Sequence, residues 1–366
     1  MTDATTNTDT GNRSGIEIRN LYKIFGARPK DYVEKVQAGM GKEELNDKHK
    51  HVLGLQDINL TLPPGKISVI MGLSGSGKST LIRHINGLIM PTAGEILYNG
   101  RDVVKMNEEE LREFRRHETA MVFQKFALLP HRTVLENTCY GLDIQGVDRS
   151  KSEPIAKKWI ERVGLAGYED NYPNQLSGGM QQRVGLARAL ANDADILLMD
   201  EAFSALDPLI RMDMQKVLLD LQAELKKTIV FITHDLDEAL RLGDKIAILR
   251  DGALNQVGTG QEIVLRPANE YIAEFVREVN RGRVIRAETI ALPLPEGELP
   301  KMKVKASSVL EKIARRMADA EVRTATVVDA ANKPIGMVDM TTILTAMVTP
   351  ASVEEGDDEV EEDSAA

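Results

Sequence analysis

The chain has 366 residues, 42% of them hydrophobic and 28% charged, which is ordinary for a soluble protein with a large core and about two domains. Eight acidic residues between Glu354 and Asp363 account for most of the formal net charge of −10, so the remainder lacks the broad basic surface of a nucleic-acid-binding protein. No apolar run is long enough to cross a bilayer. The lone Cys139 excludes an internal disulfide, and we expect it to be a small buried side chain.

The predicted elements alternate short β-rich runs with helical segments, as in a parallel sheet with crossover helices. Residues 1–14 are polar, lack the apolar core of a signal peptide and predict a flexible leader. An α/β domain should follow over residues 15–279, with a charged insert at 27–51 that predicts two short surface helices broken at Gly39 and Gly41. The clearest strands are predicted at 68–71, 120–123, 196–199, 229–233 and 245–249.

A change in composition predicts a second unit over residues 280–350. A strand, a helix with one apolar face, two strands and a closing helix give the order βαββα, without a catalytic constellation, and suggest a small α+β regulatory module. Residues 351–366 are strongly acidic, and like-charge repulsion predicts a disordered tail. The strands of the module are predicted near Val304, at 324–328 and at 335–338, and the apolar face of its first helix carries Val309, Ile313 and Met317.

The sequence GLSGSGKST fits the glycine-rich loop that cradles the phosphates of ATP. An apolar run at 67–71 precedes it, so the loop should join a buried strand to a helix, where N–H groups favour negative charge. Lys78 should reach the β- and γ-phosphates, the Ser79 hydroxyl should bind Mg²⁺, and Thr80 should contact the α-phosphate. The ATP-binding residues predicted in this loop are Gly72, Ser74, Gly75, Ser76, Gly77, Lys78, Ser79 and Thr80.

Polar residues follow three more predicted strands, at the sheet edge where ligands bind in open α/β folds. Asp200 and Glu201 end the run ILLMDE; Asp200 can serve Mg²⁺, directly or through water, and Glu201 can act as general base on the attacking water. Gln124 can coordinate Mg²⁺ and hold that water, and His234 can bond a phosphate oxygen or orient the base. Singly, each is typical of a loop or a helix cap, but together they predict one catalytic site.

The ordered set GLSGSGKST, Gln124, LSGGMQQR, ILLMDE, SALD and His234 resembles the ATPase subunit of ATP-binding-cassette (ABC) transporters. The resemblance implies a P-loop NTPase cassette with a helical signature subdomain, which works as a head-to-tail homodimer. Asp207, which ends SALD, would carry communication between the two ATP sites. Phe25 would stack on adenine; Tyr22 is its rival, and a core role is the alternative for both. The signature residues that would face the partner's ATP are Ser177, Gly178, Gly179 and Gln182.

The segments LYKIFGARP, MVFQKFALLPH and MDEAFSALDPLIR, with the charged insert, further resemble the glycine betaine/proline (quaternary amine) uptake ATPases. This implies an ATP hydrolase that energises import through separate membrane permease subunits and a substrate-binding protein or domain, on the cytoplasmic face of the bacterial plasma membrane. Permease contact is expected at 126–130, with ordinary core packing as the alternative. The module after 279 corresponds to a single cystathionine-β-synthase-type (CBS) repeat. Met180 and Thr342 depart from the family pattern at positions where a ribose contact is expected.

Other functions stay open at this point. The chain could serve another small-solute importer, or be a soluble cassette ATPase of the DNA-repair type. The latter carry a coiled coil or zinc insert between the two glycine loops, whereas residues 78–177 contain neither heptads nor cysteine pairs. The basic stretch 281–323 could bind anionic lipid in competition with the acidic tail, making the membrane surface a further partner; a solvated surface is the alternative.

Overall fold

The computed structural model describes residues 15–124, 126–204 and 206–348. These residues form two units, one up to Val257 and one from Gly258, which divide earlier than the boundary predicted at 279/280. The predicted leader and acidic tail lie outside the described residues. Within the described ranges, no helix has the length and apolar character needed to cross a membrane.

Two sheets organise the first unit, one of four strands and one of six. Their strands are β1 (Ile16–Phe25), β2 (Val52–Leu62), β3 (Ile67–Met71), β4 (Ala93–Tyr98), β5 (Arg101–Asp102), β6 (Thr119–Val122), β7 (Ile196–Asp200), β8 (Thr228–Thr233), β9 (Lys245–Arg250) and β10 (Ala253–Gly258).

The six-stranded sheet has the order β10-β9-β3-β8-β7-β6, and β3, β6, β7, β8 and β9 pair in parallel. It confirms the five strands predicted from the sequence. Every residue of β3, β7 and β8 is buried, as expected for parallel strands covered on both faces. Met71 pairs with Thr233 and Asp200 with Ile232, so the loops that follow β3, β7 and β8 leave the sheet at one edge.

The four-stranded antiparallel sheet, β2-β1-β4-β5, packs against the other through an apolar core. That core joins side chains such as Ile18 of β1 and Val230 of β8 with Ile82, from the helix that follows β3. The helix after the glycine-rich loop is therefore held between the two sheets.

Three helices in the middle of the chain pack against one another and form a helical subdomain. They are α5 (Val134–Ile144), α6 (Arg149–Arg162) and α7 (Gly178–Ala191). Cys139 is buried on α5, as predicted, and burial raises the pKa of its thiol. The helices of this unit are α1 (Val33–Gln37), α2 (Lys42–His49), α3 (Lys78–Ile85), α4 (Glu108–Glu113), α5 (Val134–Ile144), α6 (Arg149–Arg162), α7 (Gly178–Ala191), α8 (Pro208–Leu225) and α9 (Leu236–Leu242).

The charged insert forms the two predicted short helices, α1 and α2, after a 3₁₀ turn at Pro29–Tyr32. The two helices are anchored to the domain, because Val36 and Leu45 are buried in a cluster with Tyr22, Ile24 and Leu53. The insert is thereby fixed to β1 and β2, beside Phe25.

The second unit begins with α10 (Gly260–Leu265), which packs on α12. The predicted βαββα order is present, with β11 parallel and β13 antiparallel to β12. The first helix of that order begins at Leu310 rather than Ser308. Leu310 therefore joins Ile313 and Met317 in the core, and Val309 occupies the N-cap position without a capping side-chain bond. The other elements are α11 (Glu270–Phe275), α12 (Arg281–Val284), α13 (Ala287–Ile290), β11 (Lys303–Lys305), α14 (Leu310–Asp319), β12 (Thr324–Val328), β13 (Pro334–Asp339) and α15 (Met340–Met347).

Candidate nucleotide site

The glycine-rich loop leaves β3 and ends at α3, in the strand–loop–helix context that the sequence predicted. Gly77, immediately before the helix, has a φ of 102°, a conformation that L side chains rarely adopt. A Cβ atom at Gly77 would also lie 2.8 Å from the carbonyl oxygen of Gly54. The glycine therefore lets the loop pack tightly against β2 while its N–H groups surround a concavity.

Lys78 points back into that concavity and is only 5% exposed. Its ammonium donates to the carbonyl oxygens of Gly72 and Leu73, at 2.8 and 3.0 Å, and lies 3.8 Å from Oε1 of Glu201. Burial lowers the pKa of Lys78, while Glu201 and Asp200 oppose that shift. The hydroxyl of Ser76 is buried and has no hydrogen-bond partner, so it is available to a phosphate oxygen.

Ser79 and Asp200 meet at the predicted magnesium position. The Ser79 hydroxyl donates to Oδ1 of Asp200 at 2.8 Å, and Nη2 of Arg83 lies 3.5 Å from Oδ2. Hydroxyl and carboxylate oxygens are the hard ligands that Mg²⁺ prefers, so these donors fit the ion. No cluster of three or more His, Cys, Asp or Glu side chains suited to a metal occurs among the described residues.

Glu201 lies at the centre of the predicted catalytic group. Its Oε2 accepts a hydrogen bond from Nε2 of Gln124 at 3.0 Å and is 3.6 Å from Nδ1 of His234. The backbone of Glu201 has a φ of 45°, an unfavourable conformation for a residue with a side chain. The structure thus brings together three side chains that are far apart in the sequence, and Glu201 is held by its backbone at the edge of the cleft.

A buried network that the sequence analysis missed lies behind His234. Glu238 accepts from the Thr233 hydroxyl at 2.6 Å and from Nε2 of Gln215 at 3.0 Å. Arg211 donates to Oδ2 of Asp235 and to the carbonyl oxygen of Leu206, both at 3.2 Å. These bonds tie the loop that carries His234 to the loop that leads into Asp207, the N-cap of α8. The sequence signal that could have predicted this network is Glu238, an acidic residue four positions after His234 at the end of a strand.

A cleft of about 420 Å³ is lined by most of the predicted phosphate loop and by Gln124 and Glu201. Asp200 and His234 are not among its lining residues and reach the site through Ser79 and Glu201. The Phe25 ring lines it and is 41% exposed, whereas Tyr22 is buried in the core beneath the insert. Of the two rivals, only Phe25 can offer a ring to a base. The cleft is lined by Phe25, Lys42, Val52, Leu53, Gly54, Ser74, Gly75, Gly77, Lys78, Ser79, Thr80, Gln124 and Glu201.

The second glycine-rich loop starts α7, and the Ser177 hydroxyl caps the helix by accepting from the N–H of Met180. Ser177 and Gly178 are exposed, and Gly179 is half-buried. Gln182 differs, because it is fully buried and neither of its amide atoms has a hydrogen-bond partner. The prediction that Gln182 faces a ligand with the other three therefore needs correction: its side chain points into the subdomain.

Comparison with known proteins gives consistent matches to one family. The family description "ABC transporter" matches residues 55–204. The glycine betaine/proline betaine transport system ATP-binding protein ProV of Escherichia coli is 48% identical over 332 residues, which cover 91% of this chain and 82% of ProV. The glycine betaine transport ATP-binding protein OpuAA of Bacillus subtilis is 53% identical, over 76% of this chain and 68% of OpuAA.

A solved structure shares the cassette fold. It is described as a dimeric post-hydrolysis state of the ATP-binding cassette MJ0796 bound to ADP and Pi. The TM-score is 0.58 and the identity 32%, over 67% of this chain and 98% of MJ0796.

Proposed function

The chain belongs to the ABC transporter family, as one of its ATP-hydrolysing cassettes, and from this premise we propose that it energises the import of a small quaternary amine such as glycine betaine. The observation that carries the proposal is that Lys78, Ser79 and Glu201 line one cleft, with Asp200 bonded to Ser79, in a chain 48–53% identical to ATP-binding proteins named for glycine betaine transport.

The geometry supports a proposed role for each group in ATP hydrolysis. The loop N–H groups and Lys78 would hold the phosphates, and Phe25 would stack on the base. Ser79 and Asp200, with Gln124 beside them, would hold Mg²⁺, whose charge would offset that of the phosphates. Glu201 would take a proton from the attacking water, which Gln124 and His234 help to place. Lys78 can exchange its carbonyl partners for phosphate oxygens without moving far, since its ammonium already lies at the base of the cleft.

We propose that the working form is a dimer of cassettes. The signature residues Ser177, Gly178 and Gly179 do not line the cleft of their own chain, yet they stand at the N-terminus of a helix, where a phosphate is favoured. A head-to-tail partner would present them to the ATP held by Lys78. ATP would then close the dimer, and hydrolysis would reopen it.

The permease is proposed to dock beside residues 126–130, which follow Gln124. The side chains of Phe126, Leu128 and Leu129 are half-buried, which leaves part of each apolar side chain accessible to a partner. A cleft of about 280 Å³ beside them is lined largely by apolar groups, among them Phe123, Leu129 and Tyr140. Docking here would place the chain at the cytoplasmic face of the membrane and link permease movement to Gln124.

The second unit is proposed to be a regulatory module of the CBS type. Its βαββα order supports this, and it offers no catalytic group of its own in the described residues. The Thr342 hydroxyl donates to Asp339 at 3.0 Å, and the Thr342 N–H also bonds that carboxylate, so Thr342 serves the start of α15. Adenosine binding at Thr342 is therefore not part of the proposal. We retain the anionic membrane surface as a proposed partner of the basic stretch 281–323.

The import proposal can be tested in bacteria that lack their own glycine betaine uptake, supplied with this chain, its permease and its substrate-binding component. Uptake of labelled glycine betaine should depend on the chain and be lost in Glu201→Gln. Labelled methionine serves as the control solute and should not be taken up. Glycine betaine uptake that persists in Glu201→Gln, or uptake of methionine instead, would contradict the proposal.

A further inference from the structure

The charged insert contributes a lysine to the nucleotide cleft. Lys42 begins α2 and lines the same cleft as Phe25, Gly54 and Lys78. The insert is anchored by Val36 and Leu45, so this lysine stands on a fixed element rather than on a free loop. None of the phosphate-loop or catalytic roles described above uses it.

The Lys42 ammonium is connected to the phosphate loop by contacts through the turn at Asp251 and Gly252. Its Nζ lies 3.4 Å from Oδ1 of Asp251, in the turn between β9 and β10. The next residue, Gly252, donates its N–H to the carbonyl oxygen of Ser76 at 3.1 Å and accepts from the N–H of Gln56 at 2.7 Å. Lys42 is thus held at a defined place relative to the loop that should carry the phosphates.

The ion pair with Asp251 leaves Lys42 free to change partner. Both side chains are largely solvated, 43% and 70% exposed, and such pairs are weak. Asp251 also has Arg250 close by, with Nε at 3.6 Å from Oδ2, so the carboxylate keeps a cation if Lys42 turns away. A phosphate is a stronger partner for an ammonium, because it carries more charge and several acceptor oxygens.

We propose that Lys42 contacts a phosphate of the bound nucleotide and raises nucleotide affinity, so that the insert is part of the ATP site. The inference rests on the proposed nucleotide site and deepens it. Lys42 pairs with Asp251, whereas the Glu201 carboxylate is contacted by Gln124 and His234, so the role proposed for Lys42 is to bind the nucleotide and not to take part in the hydrolysis step.

The test is calorimetric titration of the full chain with ADP, and with adenosine as the ligand that lacks phosphate. Lys42→Ala should weaken ADP binding by about fivefold, the size expected for a charged but solvated contact, and Lys42→Arg should restore most of it. The loss should shrink as salt is raised. In an ATPase assay, Lys42→Ala should raise KM and leave kcat within about twofold.

Lys48→Ala is the matched control, because Lys48 lies on the same helix and pairs with Glu44 at 2.8 Å, outside the cleft. It removes the same charge and should leave ADP affinity unchanged. Wild-type affinity in Lys42→Ala, an equal loss in Lys48→Ala, or an equal loss for adenosine would overturn the proposal. Lys78→Ala distinguishes failure of the Lys42 proposal from failure of the nucleotide site itself. If Lys78→Ala also keeps full ADP affinity, the proposed nucleotide site is wrong.

Discussion

The two units of the chain use their polar side chains in opposite ways. In the first unit, polar groups follow buried parallel strands and meet at one sheet edge, where the Ser76 hydroxyl still lacks a partner and the Lys78 ammonium lies 3.8 Å from the Glu201 carboxylate. In the second unit, the buried Thr326 donates to the carbonyl oxygen of Pro300, and the buried Arg281 donates to those of Val264 and Val348. Chemistry is therefore expected from the first unit, and the second is held together by packing.

The difference follows from sheet topology. Parallel strands end at one edge and deliver their following loops to one place, as the pairing of Met71 with Thr233 and of Asp200 with Ile232 shows. The small sheet of the second unit mixes parallel and antiparallel pairs, so the loops after β12 and β13 leave in opposite directions.

Truncating the second unit's core should give the largest effect on stability without touching the chemistry. Leu310 is fully buried, and Leu310→Ala should cost about 2–5 kcal/mol of unfolding free energy, from lost burial and the cavity left behind. Denaturant unfolding of the full chain measures this, and ADP affinity should be unchanged under native conditions.

Leu344→Ala is the control for that substitution, because Leu344 is 52% exposed in the same unit. It should change stability by less than about 0.5 kcal/mol. If Leu310→Ala abolished ADP binding while the first unit remained folded, the separation of packing and chemistry between the units would be wrong.

Acid should lower the unfolding free energy of the first unit, by less than the Leu310→Ala substitution lowers that of the second. His84 on α3 is buried, and burial lowers the pKa of its imidazole to about 4, from 6.5. Between these values the unfolded chain binds a proton that the folded chain does not, so stability is full above pH 6.5 and falls as the pH drops toward 4. From pH 6.5 to 5 the loss should be about 2 kcal/mol.

All six histidines precede Val257, so this window should leave the second unit unaffected. His84→Gln should flatten the dependence of unfolding free energy on pH in that window, whereas His117→Gln, at a half-exposed side chain, should not. An unchanged slope in His84→Gln would exclude His84 as its cause.

Much of the first unit could be predicted because its signals are local. Apolar runs of four to six residues located the parallel strands, and the glycine spacing located the phosphate loop and Lys78. The carboxyl ends of parallel strands lie at one edge of the sheet. This rule alone predicts that Gln124, Asp200, Glu201 and His234 lie in one site.

What the sequence left undetermined depends on contacts between distant segments. The anchoring of the insert needs Tyr22 and Leu53 next to Val36 and Leu45, and no local pattern encodes that pairing. The burial of Gln182 was accessible in principle, since Gly185, Leu186 and Ala189 continue its helix face and are also buried.

The most direct test of the account is to measure ATP binding and ATP turnover in Glu201→Gln, with the purified full chain. Glutamine keeps the size of the side chain and its bond to Gln124 but cannot accept a proton. We predict near-wild-type ATP affinity and turnover reduced by about 10²–10⁴-fold. Turnover at the wild-type rate would contradict the assignment of Glu201 as the base on which the catalytic site is built.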